Sequence, residues 1–261
     1  MKNFFFLSIL ATALISSAFA QGGTLLNSSS SNSKFVCGES QITDYDGNKY
    51  NTVQIGKQCW MKENLRVTCY SDGTPIPLYA NPVSDHPVRY LPNNNEQAVA
   101  THGYLYNWVA ATRKYFGSAF NGTNDPQGIC PTGWHIPSDD EWTQLTDYVS
   151  SQSEYLCGGF KKSIAKALAD STGWSKSTFK CTVGFRQKDN NATGFSAVPA
   201  GNFVSFDQYS WFYEHAYFWT GTQQDKNTAF LRSIHYDSES VYGSFSIINK
   251  EAGCSVRCVK N

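Results

Sequence analysis

Eight cysteines constrain this chain more than any other feature of its sequence. They are Cys37, Cys59, Cys69, Cys130, Cys157, Cys181, Cys254 and Cys258. An even number of cysteines in an exported chain most simply predicts a set of disulfides. Their spacing allows many connectivities and leaves the pairing open. Zinc is not favoured, because the chain has no Cys-x-x-Cys pair and no two histidines at ligand spacing.

The N-terminal sequence indicates export. One basic residue, an apolar run and an Ala-x-Ala site form the pattern of a secretory signal peptide over residues 1–20. We therefore expect a periplasmic, cell-surface or secreted product. Residues 21–34 are rich in Ser, Asn and Gly and predict a flexible tether. Residues 35–261 are expected to form one domain, with no later segment apolar enough to span a membrane.

The segment 128–151 has the density of polar and aromatic residues that active sites have. Ser138 and Glu141 have the spacing of a capping box, which predicts a helix beginning there. Trp142 then starts an apolar stripe on one face of that helix. Asp139 and Glu141 could be imagined as a glycosidase pair, but so close together at a helix start they are better explained as capping chemistry. His135, just before this helix, is left without an assigned role.

Local patterns place the other elements. Asp46-Gly47 lies between alternating residues and predicts a β-hairpin. Further helices are predicted at 103–114 and within 161–170, and the last third of the chain is dominated by strand-like runs. Helices in the middle with strands at both ends favour an α+β fold over alternating βαβ units.

A series of motifs resembles the Fibrobacter succinogenes major paralogous domain. They include GYLYNWVAA, GICPTGWHIPSDDEW, KALADSTGW, NNATGFSAVPAGN, YFWTGTQ and CSVRCVKN, in that order. The resemblance covers residues 35–261, and the family occurs in exported proteins of Bacteroidetes and Fibrobacter relatives. It resembles in turn the formylglycine-generating, sulfatase-modifying-factor fold and C-type lectin domains. The resemblance implies a disulfide-rich, lectin-like mixed domain with much irregular structure.

The same resemblance implies a disulfide pairing. A long-range bridge between Cys130 and the closing-strand Cys258 is similar to that of lectin-like domains. Two further bridges would clamp the first hairpin and close the loop around KKSIAKALADSTGW, and the two remaining cysteines would pair with each other. The implied pairs are thus Cys37–Cys59, Cys69–Cys254, Cys130–Cys258 and Cys157–Cys181.

One catalytic alternative also follows from the resemblance. Formylglycine-generating enzymes bind copper through a cysteine pair, and Cys254 and Cys258 lie four positions apart. However, Cys258 matches the structural cysteine of the closing strand, and the segment upstream, where the reactive pair of that family lies, has no cysteine. We therefore expect no catalytic residues, and keep a divergent formylglycine-generating-type enzyme as the alternative.

The segment 203–219 alternates aromatic with hydrogen-bonding side chains. Amphipathic rings beside polar groups are typical of sugar and protein recognition, although such rings can also simply cover an irregular core. The candidate ligand-binding residues, from this segment and the strand-like run after it, are Asp207, Tyr209, Trp211, Tyr213, His215, Tyr236 and Asp237.

The predicted function is non-catalytic recognition or adhesion, with a glycan or a surface protein as partner; a structural subunit of a surface assembly is a further possibility. Nucleic acid is a poor candidate, because 21 basic and 21 acidic residues balance without a basic run. No metal or cofactor is predicted. Calcium is possible at Asp44–Asn48, which resembles the start of a calcium loop, but the acid needed at its twelfth position is missing.

Overall fold

The computed structural model describes residues 34–79, 86–114, 127–205, 208–243 and 246–261. Within these limits, Phe35–Asn261 forms one compact unit. The predicted signal peptide, the predicted tether except Lys34, and the candidate residue Asp207 lie outside the described residues. No helix in the described part of the chain is both long enough and apolar enough to cross a bilayer.

Short strands and helices alternate with long irregular connections. The strands are β1 (Ile42–Thr43), β2 (Lys49–Tyr50), β3 (Thr52–Ile55), β4 (Gln58–Met61), β5 (Arg89–Tyr90), β6 (Leu105–Tyr106), β7 (Trp134–His135), β8 (Asn202–Ser205), β9 (Gln208–Ser210), β10 (His215–Gln223), β11 (Thr228–His235), β12 (Val241–Tyr242), β13 (Ile247–Asn249) and β14 (Val259–Lys260). The helices are α1 (Val99–His102), α2 (Trp108–Thr112), α3 (Asp139–Ser151) and α4 (Ala165–Leu168). The α+β class predicted from the sequence is confirmed.

Two antiparallel sheets organise the domain. In the first, the strand order is β3-β4-β14-β7, so β14 lies between strands from much earlier in the chain. In the second, β10 and β11 form a long hairpin, and both β12 and β13 pair with β11. Separate two-stranded pairs are formed by β1 with β2, β5 with β6, and β8 with β9.

The β1–β2 hairpin confirms the prediction made from Asp46-Gly47. Gly47 has a φ of 83°, a conformation that glycine adopts without a steric penalty. The carboxylate of Asp44 accepts from the Asn48 amide at 2.9 Å and from the Tyr50 hydroxyl at 2.6 Å. Asp44, the first acid of the segment that resembles a calcium loop, therefore stabilises the turn.

Helix α3 begins with the predicted capping box. The Ser138 hydroxyl accepts from the Glu141 amide at 3.2 Å, and the Glu141 carboxylate accepts from the Ser138 amide at 2.8 Å. Asp139, in the first turn, accepts from the Arg232 guanidinium at 2.8 Å. These acids are therefore engaged in helix capping and in an ion pair with β11, as expected of a structural motif.

The predicted helix at 103–114 is wrong over its first half. Gly103 has a φ of 73° and ends α1, and Leu105–Tyr106 pairs with β5. The side chain of Asn107 then accepts from the Ala110 amide at 2.9 Å and caps α2. The helix predicted within 161–170 is likewise shorter, because only Ala165–Leu168 is helical.

Three of the four implied disulfides are present: Cys37–Cys59, Cys130–Cys258 and Cys157–Cys181. The fourth is wrong, because Cys69 and Cys254 are both free. Tyr106 shows why. Its backbone is hydrogen-bonded to Cys254 at 2.9 and 3.0 Å, while its hydroxyl reaches the Val67 carbonyl at 2.8 Å. A tyrosine side chain therefore separates the two segments that carry the free thiols.

An aromatic cluster packs α3 against both sheets. The Trp142 ring lies 4.9 Å from Trp60 and 5.4 Å from Phe218, measured between ring centroids. Phe195 contacts both tryptophans at 5.7 Å. The guanidinium of Arg257 lies 4.7 Å from the centroid of Phe195, so the cluster encloses a cation as well as apolar rings.

Candidate functional site

The loop between β9 and β10 presents two of the candidate aromatic residues. Trp211 and Tyr213 are 52% and 50% exposed, and both have left-handed backbone conformations, with φ of 63° and 66°. Such a conformation costs a bulky residue on the order of 1–3 kcal/mol and persists only when its surroundings hold it. Here the Trp211 carbonyl accepts from the amides of Glu214 and His215 at 2.9 Å, and the Tyr213 amide donates to the Pro199 carbonyl at 3.0 Å. The loop is therefore fixed by backbone hydrogen bonds.

Four rings stack at the edge of this loop. His215 and His235 are directly opposite each other on β10 and β11, and their ring centroids lie 3.8 Å apart at an interplanar angle of 9°. Trp211 stacks on His215 at 4.6 Å and 9°. Tyr242, on β12, stacks on His235 at 4.5 Å and 29°. We call Trp211, His215, His235 and Tyr242 the four-ring stack.

Each imidazole of the stack is held by a hydroxyl on its own strand. His215 Nδ1 lies 2.7 Å from the Tyr217 hydroxyl, and His235 Nε2 lies 3.0 Å from the Ser233 hydroxyl. Burial lowers the pKa of His215, and the nearby Asp237 offsets part of this effect. Burial and the neighbouring His215 lower the pKa of His235 to about 4. Both rings are therefore neutral at neutral pH.

His215, His235 and Asp237 also form a group with metal-ligand chemistry. One ligand atom from each residue lies within 4.8 Å of the others. No other such group of His, Cys, Asp or Glu side chains occurs in the described part of the chain. The spacing of these residues in the sequence does not indicate a metal site, because His215 and His235 meet only through strand pairing.

The other candidate residues lie outside the four-ring stack. Tyr213 contacts Phe212 instead, at 4.1 Å between ring centroids. Tyr209 is half-buried in the β8–β9 hairpin, where its ring packs edge-on against Phe203 at 5.2 Å. Tyr236 is half-buried, its side chain packs against the core, and its amide donates to the Glu214 carbonyl at 2.8 Å. The structure thus joins Trp211, His215 and Asp237, and adds two residues that sequence reasoning missed, His235 and Tyr242.

A surface cleft of about 490 Å³ adjoins one end of the stack. Tyr242 lines it together with Asp147 and Lys162, and is itself 42% exposed. The cleft therefore places an exposed aromatic ring beside groups of both charges.

His135, unassigned from the sequence, completes the start of α3. Its Nε2 lies 2.8 Å from the Glu141 carboxylate and its Nδ1 lies 2.6 Å from the Asn261 side-chain oxygen. Burial alone would lower the pKa of His135, but the hydrogen bonds to Glu141 and Asn261 raise it above its ordinary value. Burial would also raise the pKa of Glu141, but His135 and the Ser138 amide lower it. This histidine joins the start of α3 to Asn261, the residue that follows β14.

The His135–Glu141 pair predicts a pH-dependent contribution to stability. A raised histidine pKa stabilises the fold below the ordinary value of 6.5 and loses that contribution as pH rises through the folded value. The lowered pKa of Glu141 contributes above 4.5 and is lost as pH falls. We therefore expect His135→Gln to cost about 1 kcal/mol between these limits, and less at higher pH. Urea unfolding of both proteins across this range measures the difference; a constant or growing difference at high pH would contradict it.

Comparison with known proteins places the chain in a family. The model of the Fibrobacter succinogenes major domain matches residues 53–260. No curated protein and no solved structure matches the chain.

Proposed function

The chain belongs to the Fibrobacter succinogenes major domain family, and we propose that this member is an exported, non-catalytic recognition module that binds a glycan or a protein at or outside the cell surface. The observation that carries the proposal is the exposed, rigidly held ring of Trp211 at the end of the four-ring stack. Three disulfides fit a domain that works in an oxidising compartment.

We also propose the finer relation to the lectin-like and sulfatase-modifying-factor folds. Its support is the placement of β14 between β4 and β7, together with the Cys130–Cys258 bridge. This bridge joins the entry to α3 to the closing strand, as the resemblance of the sequence implies.

Trp211 has the properties that a recognition residue needs. One face of its indole is stacked on His215, while half of its surface remains exposed. An aromatic ring offers a large contact area at a small entropic cost, because it has only two side-chain torsions. The backbone hydrogen bonds of the loop hold this ring in place before any ligand arrives, which lowers the cost of binding further.

Polar groups beside the rings provide the means to orient a ligand. Asp237 is exposed and lies next to the stacked imidazoles. At the far end of the stack, Tyr242 opens onto the cleft that Lys162 and Asp147 also line. Ring faces for stacking and nearby hydrogen-bonding groups are the combination that sugar and protein binding sites use.

The chemistry of the cysteines favours binding over the catalytic alternative. Cys258 is bonded to Cys130, so it is not available as a copper ligand. Cys254 is fully buried, and this burial raises the pKa of its thiol well above the ordinary value. A reactive or metal-binding cysteine needs the opposite, a lowered pKa and partial exposure.

Trp211→Ala is expected to weaken ligand binding by at least about tenfold, because truncating an aromatic anchor removes most of its contact area. The test is binding of the oxidised protein to an array of glycans and polysaccharides, followed by capture of envelope proteins if no sugar binds. Tyr45→Ala is the matched control, because Tyr45 is 59% exposed in the turn between β1 and β2. Equal losses in both variants would contradict the proposed site. Concentration-dependent self-association without any ligand would favour the structural-subunit alternative.

A further inference from the structure

Strand pairing assembles two imidazoles and a carboxylate at the end of the β10–β11 hairpin. His215 and His235 are cross-strand partners, so their side chains lie on the same face of the sheet. Asp237 follows His235 by two residues, just beyond the end of β11. The ligand atoms of all three come within 4.8 Å of one another. Two imidazoles and one carboxylate are a common ligand set for transition-metal ions.

Tyr217 and Ser233 supply the hydrogen bonds that orient the two histidine rings. Tyr217 and Ser233 are also cross-strand partners, two positions along from the histidines. Their hydroxyls bond one nitrogen of each imidazole, His215 Nδ1 and His235 Nε2. Metal-binding histidines are typically held in this way, with the outer nitrogen fixed and the other left for the ion. The remaining nitrogens, His215 Nε2 and His235 Nδ1, make no hydrogen bond within the described residues.

We propose that His215, His235 and Asp237 bind one divalent transition-metal ion. Imidazole nitrogens suit zinc, copper and nickel, whereas calcium and magnesium require a set of oxygen ligands. Three protein ligands leave a coordination position open to water or to a ligand. The parallel rings must turn to direct both lone pairs at one ion, which alters the contact between His215 and Trp211. The site shares His215 and Asp237 with the proposed recognition site, but its test does not depend on that proposal, because the metal alone is the probe.

Titration of the untagged protein with zinc, monitored by calorimetry at neutral pH, tests the proposal. We expect one ion per chain, a higher Tm with zinc and a change in tryptophan fluorescence. The fluorescence change should disappear in Trp211→Phe while zinc still binds. Calcium, as the control ion, should give none of these signals. Failure of the glycan and protein arrays would leave this result unaffected, so the two proposals fail separately.

Substitution of the proposed ligands tests whether zinc binds at this site. Asp237→Asn and His235→Gln are each expected to weaken zinc binding by at least about tenfold. His102→Gln is the matched control, since His102 contacts Phe212 in the same loop region but lies outside the group, and it should bind zinc as the parent does. Asp237 is exposed, so its variant should keep the parent near-UV circular dichroism even if a histidine variant does not fold. Absence of zinc binding in the parent, or equal binding in all variants, would overturn the proposal.

Discussion

Trp142→Ala should lower the free energy of unfolding by about 3–5 kcal/mol, the range for removing a large buried aromatic side chain. Trp142 is 1% exposed and lies at the centre of the aromatic cluster, with Trp60, Phe195 and Phe218 around it. Its removal loses the transfer free energy of the ring and leaves a cavity that these rigid neighbours fill only in part. Because it also anchors α3, the loss would extend to the contact between this helix and both sheets.

The matched control is the same substitution at Trp211. This residue is half-exposed, and alanine tolerates the left-handed backbone there no worse than tryptophan does. We expect Trp211→Ala to cost less than about 1 kcal/mol. Urea unfolding of the two variants, with disulfides intact, gives both values. Comparable losses would show that Trp211 is a core residue, and would contradict its assignment to recognition.

Arg257→Met is the second substitution with a large expected effect. Arg257 is fully buried, and its guanidinium donates to the Asn64 side chain at 2.8 Å and to the Ser196 carbonyl at 2.7 Å. It also donates to the carbonyls of Phe195 and Met61. Methionine fills similar space but leaves these acceptors without a donor, at about 1–3 kcal/mol for each buried group. We expect a total loss of at least about 3 kcal/mol.

Two further variants separate charge from geometry. Arg257→Lys keeps the cation, but one ammonium cannot serve acceptors spread around a planar guanidinium, so it should also destabilise the domain. Arg186→Met is the control, since Arg186 is exposed, and should change the free energy of unfolding by less than about 0.5 kcal/mol. If Arg257→Met and Arg186→Met unfold at the same urea concentration, the buried hydrogen bonds do not contribute as proposed.

Local signals account for the parts of the fold that could be predicted from the sequence. The capping box of Ser138 and Glu141 and the turn at Asp46-Gly47 depend on residues within a few positions of each other. The helix predicted at 103–114 is wrong over its first half because a contact between distant segments, which local signals do not show, decides the structure there. Its apolar periodicity was correct for burial, but the pairing of Leu105–Tyr106 with β5 outweighed the helical tendency.

The candidate site was only partly visible in the sequence, because a strand irregularity sets its register. Close to the turn, Gln223 pairs with Ala229, a register that would place His235 opposite Tyr217 if it continued. The irregularity between Trp219 and Gln223 shifts the pairing, so that His235 lies opposite His215 instead. Alternation of residue types does not encode such a bulge, and the meeting of the two histidines could not be inferred from their spacing.

The position of β14 has a consequence for the order in which the domain folds. A chain that emerges with its N-terminal end first presents β3, β4 and β7 long before β14, yet β14 is the strand that lies between β4 and β7. Val259 pairs with both Trp60 and His135, and these long-range contacts require the closure of large loops. Until Val259 is in place, β4 and β7 have exposed edges and Cys130 has no partner. The first sheet is therefore a late product of folding, and any fragment that ends before β14 lacks the strand that joins its two halves.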